Sequence, residues 1–300
     1  MGLSVFIPAN NICCPLRTCN RTTQYLELKF KMQSKTSVPE QNFVANEPVR
    51  LDIIGSKVTA APFEVVVSVI LAWAKQQESK FVCVANTHML VEAYQKPSFG
   101  KVLQQADMVT PDGMPLVWML KLMGMRTQNR VAGLDLMQAL CQQASKQKVS
   151  VYFLGSMAPI LKNMEGRLLT EFPDLRIAKM EPLPFRPLTR QEDQALIQRV
   201  NESGAGLVMV ALGCPKQERW MSAHKHEIKA VMIGLGGAFP VYAGIHRRAQ
   251  SWVRNMGLEW FYRLIQEPRR LWKRYASSIP LFMYLASKQL CYHSLAFLRR

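Results

Sequence analysis

The sequence predicts an α/β fold: a Rossmann-like parallel sheet with helices on both faces, followed by a basic, amphipathic C-terminal helical appendage. Three observations lead there. Short β-branched runs alternate with helix-length amphipathic stretches from Leu51 onward. Polar clusters follow several of those runs directly, and residues 245–300 mix large aromatics with cations. Strands that alternate with covering helices all run the same way, which makes the sheet parallel.

Taken in order, the strand runs are LDII at 51–54, FVCVA at 81–85, a short one near Ala106 to Val109, VSVYFLG at 149–155, GLVMVALG at 206–213 and AVMIGLGG at 230–237. They read as nearly continuous apolar runs, as strands covered on both faces must. Ligands of such sheets sit beyond the carboxyl ends of the strands. The residues that follow the strands are therefore the candidates: Asn86-Thr87-His88, Thr110-Pro111-Asp112-Gly113 and Cys214-Pro215-Lys216-Gln217-Glu218.

Asp112 stands out as a lone acid between a proline and a glycine at a strand-to-helix turn, held to face a cleft. The competing reading is that it caps a helix beginning near Met114, a common role for Asp. Arg130, in RVAGLDL at 130–136, offers a guanidinium that fits a phosphate or carboxylate bidentately, or is a plain surface cation. GLGGAF at 234–239 looks like a dinucleotide loop but follows the last strand and lacks the third glycine, so it fails that fingerprint. Gly236 and Gly237 still allow backbone amides to approach an anionic ligand.

Composition sets bounds. Three hundred residues at 49% hydrophobic content suffice for one principal core. The seven cysteines, Cys13, Cys14, Cys19, Cys83, Cys141, Cys214 and Cys291, are scattered without metal-ligand spacing and read as reduced thiols in a cytoplasm. Residues 1–48 read as a disordered extension, with Pro8, Asn10, Asn11 and Pro15 interrupting every apolar run. That leaves no signal-peptide core; an acid-poor transit segment or a true start at Met32 are the alternatives. Residues 49–244 form the α/β domain and 245–300 the appendage. The best apolar windows, Ala60 to Ala74 and Ile279 to Ala286, fall short of the roughly 20 residues of a spanning helix.

The appendage carries eleven Lys and Arg against two Glu, about half of the chain's formal charge of +17. Such concentrated basicity points at an anionic surface. Between the charges Leu258, Trp260, Phe261, Leu264, Ile265, Leu271, Trp272 and Tyr275 recur at helical spacing, interrupted at Pro268. Trp and Tyr beside Arg and Lys is the composition of an interfacial helix, so an anionic membrane surface is the expected partner and no nucleic acid is expected. A helix packed on the domain with a solvated basic face is the plain alternative. The sequence sets no oligomeric state, and a homo-oligomer is compatible with it.

TPDGMPLVW at 110–118, RVAGLDL, FLGS at 153–156, LGCPKQERW at 212–220, GLGGAF and GLEWFYRLIQEPRRL at 257–271 together resemble, in order, the WecG/TagA/CpsF family of bacterial glycosyltransferases. The resemblance implies an inverting enzyme that takes a sugar from a UDP-sugar donor to a polyprenyl-diphosphate-linked N-acetylglucosamine acceptor, in making cell-surface polysaccharide. It implies a place on the inner face of the plasma membrane, with Asp112 as the general base. Asn86, Thr87, Arg130, Pro215, Gln217, Glu218, Gly236 and Gly237 would bind substrate, and the tail cations Arg263, Arg270 and Lys273 would close over the site. No cofactor is expected, and no metal, because Asp52, Asp107, Asp112, Asp135, Asp174 and Asp193 contain no D-x-D pair. The chain departs from the family pattern at Val84 and Pro240, where Thr and Asp are common. Donor sugars left open are N-acetylmannosamine, its uronic acid, glucose and glucuronic acid. Two other classes remain: a nicotinamide-dependent oxidoreductase on the same sheet, and a non-enzymatic module that binds membrane or nucleic acid.

Overall fold

The computed structural model describes the backbone of residues 48–298 and the side chains of residues 48–292. The extension expected over residues 1–48, with Cys13, Cys14 and Cys19, lies outside the described residues save for Pro48.

LDII does not enter the main sheet. Strand β1 (Arg50–Ile53) pairs antiparallel with β2 (Ser56–Thr59) in a sheet of their own. The cause is local: Ile54 and Gly55 both take positive φ, 45° and 85°. Two such residues make the tight turn whose twist matches a hairpin, and the Gly55 N–H donates to Asp52 Oδ1 at 2.9 Å. A two-residue connection can only return antiparallel. The hairpin leans on the edge of the main sheet, where the Thr59 hydroxyl accepts from the Val109 N–H at 3.2 Å.

The main sheet is parallel and six-stranded, in the order β4 (Met108–Pro111), β3 (Lys80–Ala85), β8 (Val231–Gly234), β7 (Leu207–Ala211), β5 (Val151–Gly155), β6 (Ile177–Glu181). β4 starts two residues later than its apolar run, because Ala106 closes the preceding helix. As an edge strand it tolerates Pro111, which has no N–H to give. β6, IAKME, is the strand that the apolar runs do not reveal: it alternates charged and apolar residues, as a half-exposed edge does. Its Glu181 accepts from Arg199 at 2.6 Å and from the Tyr152 hydroxyl.

Side chains alternate faces along every central strand. Val82 and Val84, Val151 and Phe153, Leu207 and Met209 enter one core, beneath helices α1 (Phe63–Lys75), α5 (Gly133–Gln147) and α6 (Ala158–Glu171). Phe81 and Cys83, Tyr152 and Leu154, Val208 and Val210 enter the other. It is covered by α2 (Thr87–Gln95), α3 (Pro97–Gln105), α4 (Met114–Leu122), α7 (Arg190–Glu202) and α8 (Lys216–Ala223). After β8 the chain makes α9 (Ala238–Tyr242), α10 (Ser251–Asn255), α11 (Glu259–Gln266) and the long α12 (Pro268–Leu298). Pro268 sits at the first position of α12, where a missing N–H costs nothing, and so divides α11 from α12.

Helix α12 belongs to the second core. Phe282 (1% exposed), Leu285 and Ala286 pack with Met89 and Leu90 of α2. Farther along, Gln289 grips the hairpin turn: its amide donates to the Asp52 carbonyl at 2.6 Å and accepts from the Ile54 N–H at 2.9 Å. Among the described residues no helix is long and apolar enough to cross a membrane.

Phe282→Ala removes the largest side chain that α12 buries, at a cost of about 3 to 5 kcal/mol. Hydrogen exchange is expected to accelerate across α12 and α2 while β3, β7 and β8 stay protected. Uniform acceleration over the whole sheet would show instead that α12 does not open separately.

Candidate active site

Helices that start where strands end leave their first residues at the edge of the sheet. Asn86 follows β3 and caps α2, its side-chain oxygen accepting from the Met89 N–H at 3.2 Å. Asp112 follows β4, with its backbone N–H donating to the Ala85 carbonyl at 2.8 Å. It caps nothing: the cap of α4 is Gly113, without any side-chain bond. The Asp112 carboxylate is thus free for the cleft.

Two cavities of about 150 and 380 Å³ adjoin at this edge, and both are lined by Asn86, Asp112, Glu259, Arg263, Arg270 and Arg274. The larger is walled by the loops after β7 and β8, including Gly213, Gly236 and Gly237. The smaller runs from Thr87 and Arg130 to Ile279, Phe282 and Met283, from charge to hydrocarbon.

Gln217 holds the two glycine loops together. Its carbonyl oxygen accepts from the Gly213 and Gly236 N–H groups, each at 3.2 Å, and its amide donates to buried Glu218 at 2.7 Å. A Cβ on Gly236 would stand 2.7 Å from that carbonyl oxygen, so only glycine fits. A Cβ on Gly237 would stand 3.3 Å from the Arg263 guanidinium. Gln217 lines the larger cavity but spends its amide on shaping it. Glu218 is buried below, and burial raises its carboxyl pKa. Pro215 caps α8 and lines neither cavity.

Of the tail cations expected at the site, Arg263 and Arg270 arrive and Lys273 does not; Lys273 is exposed and lines neither cavity. The reason is helical phase. Arg270, Arg274, Ser278 and Phe282 recur every four residues along one stripe of α12, and Lys273 falls off it. Arg274 takes the place; desolvation lowers its pKa, and its Nε is buried without a hydrogen-bond partner. His88, from the strand-end cluster, lines the smaller cavity, as do Arg254 and Glu259, which the sequence reading did not single out. Four-residue spacing from Arg270 would have found Arg274.

The acid of greatest consequence is Glu259. Arg130 donates to its carboxylate, so the first residue of α11 is paired with the core. Burial opposes the Arg130 charge, but Asp112 and Glu259 outweigh it and hold the guanidinium above its ordinary pKa. Burial, then the charge of Glu259, raises the Asp112 carboxyl to about 6, against the pull of Arg130 and Arg263. His88, desolvated and near Arg274, is held down at about 4 and is therefore neutral at pH 7. The site can accept a proton at Asp112 and hold anions on several guanidiniums. Among the described residues no three His, Cys, Asp or Glu side chains gather as a metal would require.

Comparison with known proteins accords with this geometry. The glycosyl transferase WecG/TagA/CpsF family matches residues 51–295. An N-acetylglucosaminyldiphosphoundecaprenol N-acetyl-beta-D-mannosaminyltransferase of Bacillus spizizenii is 32% identical over 235 residues, covering 78% of this chain and 87% of that protein. One of the same name from Bacillus subtilis is 32% identical over 215 residues, covering 71% and 81%. With a match from the first hairpin well into the tail helix, and relatives at this identity along most of their length, the chain belongs to the glycosyl transferase WecG/TagA/CpsF family.

Proposed function

We propose that this protein transfers N-acetylmannosamine, with inversion, from UDP to an N-acetylglucosamine carried on undecaprenyl diphosphate, the sugar and the acceptor being those in the names of its Bacillus relatives. The observation that carries this reading is the junction of two unlike cavities at Asp112. The larger, glycine-walled and basic, suits a nucleotide diphosphate; the smaller, ending in hydrocarbon, suits a sugar on a lipid.

In this reading Asp112 takes the proton of the acceptor hydroxyl as that oxygen attacks the anomeric carbon. The bond from that carbon to the UDP oxygen breaks, and UDP leaves with the electron pair. Attack from the face opposite the leaving group inverts the anomeric centre. A carboxyl raised to about 6 is ionised at neutral pH yet more basic than an ordinary aspartate. Arg263, Arg270 and Arg274 face the departing diphosphate from the tail and supply the positive charge that a metal supplies elsewhere. Metal independence follows as part of the proposal. Thr87 and Arg130 stand on the acceptor side, Asn86 at the junction of the two cavities, and Gly236 and Gly237 on the donor side. Membership of a transferase family leaves the oxidoreductase alternative without support.

The tail also presents Trp252, Trp260, Phe261, Ile265 and Trp272 to solvent, each at least a third exposed, beside Arg269 and Lys273. Trp118 of α4 joins them: a Cβ on Gly257 would stand 2.9 Å from its ring, so the glycine turn between α10 and α11 seats the indole. An apolar, cationic face of this kind suits a peripheral enzyme on an anionic membrane, on the cytoplasmic side where nucleotide sugars are made. Each engaged Lys or Arg is worth about 1 kcal/mol.

Three outcomes are expected. A panel of UDP-sugars with a lipid-diphosphate N-acetylglucosamine acceptor, in EDTA, should give product with wild type. Asp112→Asn should lower turnover by roughly 10²- to 10⁴-fold; loss of product in EDTA, or full activity of the variant, refutes the metal-free base mechanism. Because the folded state holds the Asp112 proton more tightly than the unfolded chain, this group's contribution to stability declines as pH rises from the ordinary aspartate value to about 6. Asp112→Asn should therefore melt higher than wild type at pH 8 and no higher at pH 4. Finally, recovery on vesicles should require anionic lipid, fall with added salt and drop in Trp272→Glu; binding indifferent to all three contradicts the membrane-face reading.

A further inference from the structure

Among the described residues Glu259 is the one tail acid that lines both cavities, Glu267 lining only the larger, and it sits among arginines that need no help in binding an anion. A carboxylate at a diphosphate site works against binding, so its presence calls for a cause. The geometry supplies one. Asp112, Arg130 and Glu259 line the same small cavity, and the Arg130 guanidinium is spent on Glu259 rather than on Asp112. Arg130 makes no hydrogen bond to Asp112 although the two charges attract.

We propose that Glu259 is a positioning residue for the base: it holds the Arg130 guanidinium off Asp112 and so keeps the Asp112 carboxylate free to take the acceptor proton. The inference rests on Asp112 being the base. Because Glu259 opens α11, the base is made competent by the docking of the tail. The tail then does more than supply cations to the leaving group; an undocked tail leaves Arg130 to pair with Asp112, and the enzyme is silent until the tail is in place.

The charged groups facing this arrangement are Arg130 and Asp135 from the core and Arg263 from α11, all of which act on Asp112. Arg254 of α10 and Tyr275 of α12 face Glu259. Arg254 is engaged with Asp135 at 3.8 Å, which leaves Arg130 as the cation released when Glu259 is neutralised. An arginine newly paired with an aspartate pulls the carboxyl pKa down, and a carboxylate so paired is a weaker base.

The test is the pH dependence of kcat/KM for transfer. Wild type should gain activity through pH 6. Glu259→Gln should keep its fold, lose roughly tenfold or more in kcat, and show the acidic limb moved down by about one pH unit or more, the size of effect an arginine has on a neighbouring aspartate. Glu259→Asp should restore most of the wild-type limb. The double variant Glu259→Gln with Arg130→Gln should return the limb upward, since no guanidinium remains to capture Asp112, even though donor or acceptor binding suffers. A Glu259→Gln limb at the wild-type position, whatever the rate, overturns the proposal, as does a double variant with the same limb as the single. Should Glu259→Gln not fold, Glu259→Ala, which also removes the carboxylate that pairs with Arg130, takes its place and is read by the same two outcomes. Activity surviving in Asp112→Asn would instead sink the base assignment itself, so the two failures are separate.

Discussion

Phe282, Leu285 and Ala286 press against the helix that follows β3, and on that apolar contact hangs the delivery of every charged group the tail brings to the sheet. Fully burying one large apolar side chain is worth about 1.5 to 3 kcal/mol. Two such residues, Phe282 and Leu285, with Ala286 beside them, are enough to fix the phase of α12, and phase decides which cations face inward. Arg270 and Arg274 share the stripe with Phe282, so the same rotation that buries the ring aims both guanidiniums at the cleft. The hydrophobic contact thereby sets the electrostatics.

Those electrostatics are balanced by design of position. Arg263, Arg270, Arg274, Arg254 and Arg130 converge on a small volume, and unopposed they would repel one another and hold Asp112 in a low-pKa ion pair. Three of the five are partly answered: Arg130 by Glu259, Arg254 by Asp135, and Arg270 by Glu267 at 2.9 Å. Arg263 and Arg274 remain for a ligand. The arrangement fits a glycosyltransferase whose leaving group carries two phosphates and whose acceptor carries two more.

Much of this was legible in the chain. The parallel sheet shows in its apolar runs, and the strand-end clusters place Asn86, Asp112, Gln217 and the glycine loop on one edge, because each strand of such a sheet ends on the same side. Less visible were features set by tertiary contact. LDII reads as a buried strand, yet two residues at positive φ turn it into a hairpin. IAKME hides β6 because an edge strand need not be apolar. Gln217, expected to bind substrate, lines the larger cavity and also clamps two loops, a role that needs β7 and β8 side by side. Lys273 and Arg274 are indistinguishable in a list of basic residues; their phase relative to Arg270 and to buried Phe282 tells them apart. Glu259 is a single acid in a run of cations and aromatics, and its partner Arg130 lies 129 residues away in the chain, so only the fold brings the pair together.

Gln289 holds the turn of a hairpin that lies 235 residues earlier in the chain. During synthesis β1 and β2 leave the ribosome long before this partner exists, and the Ile54 N–H and Asp52 carbonyl must meanwhile be satisfied by water. Helix α2 likewise emerges with Met89 and Leu90 uncovered. The sheet between them can form strand by strand as it appears, but its second core stays open until α12 has been made. Assembly of the active edge is therefore the last act of folding, and a chain stalled after β8 has emerged but before Phe282 is made carries the whole main sheet without a docked guanidinium stripe, and exposes an apolar helix face to chaperones.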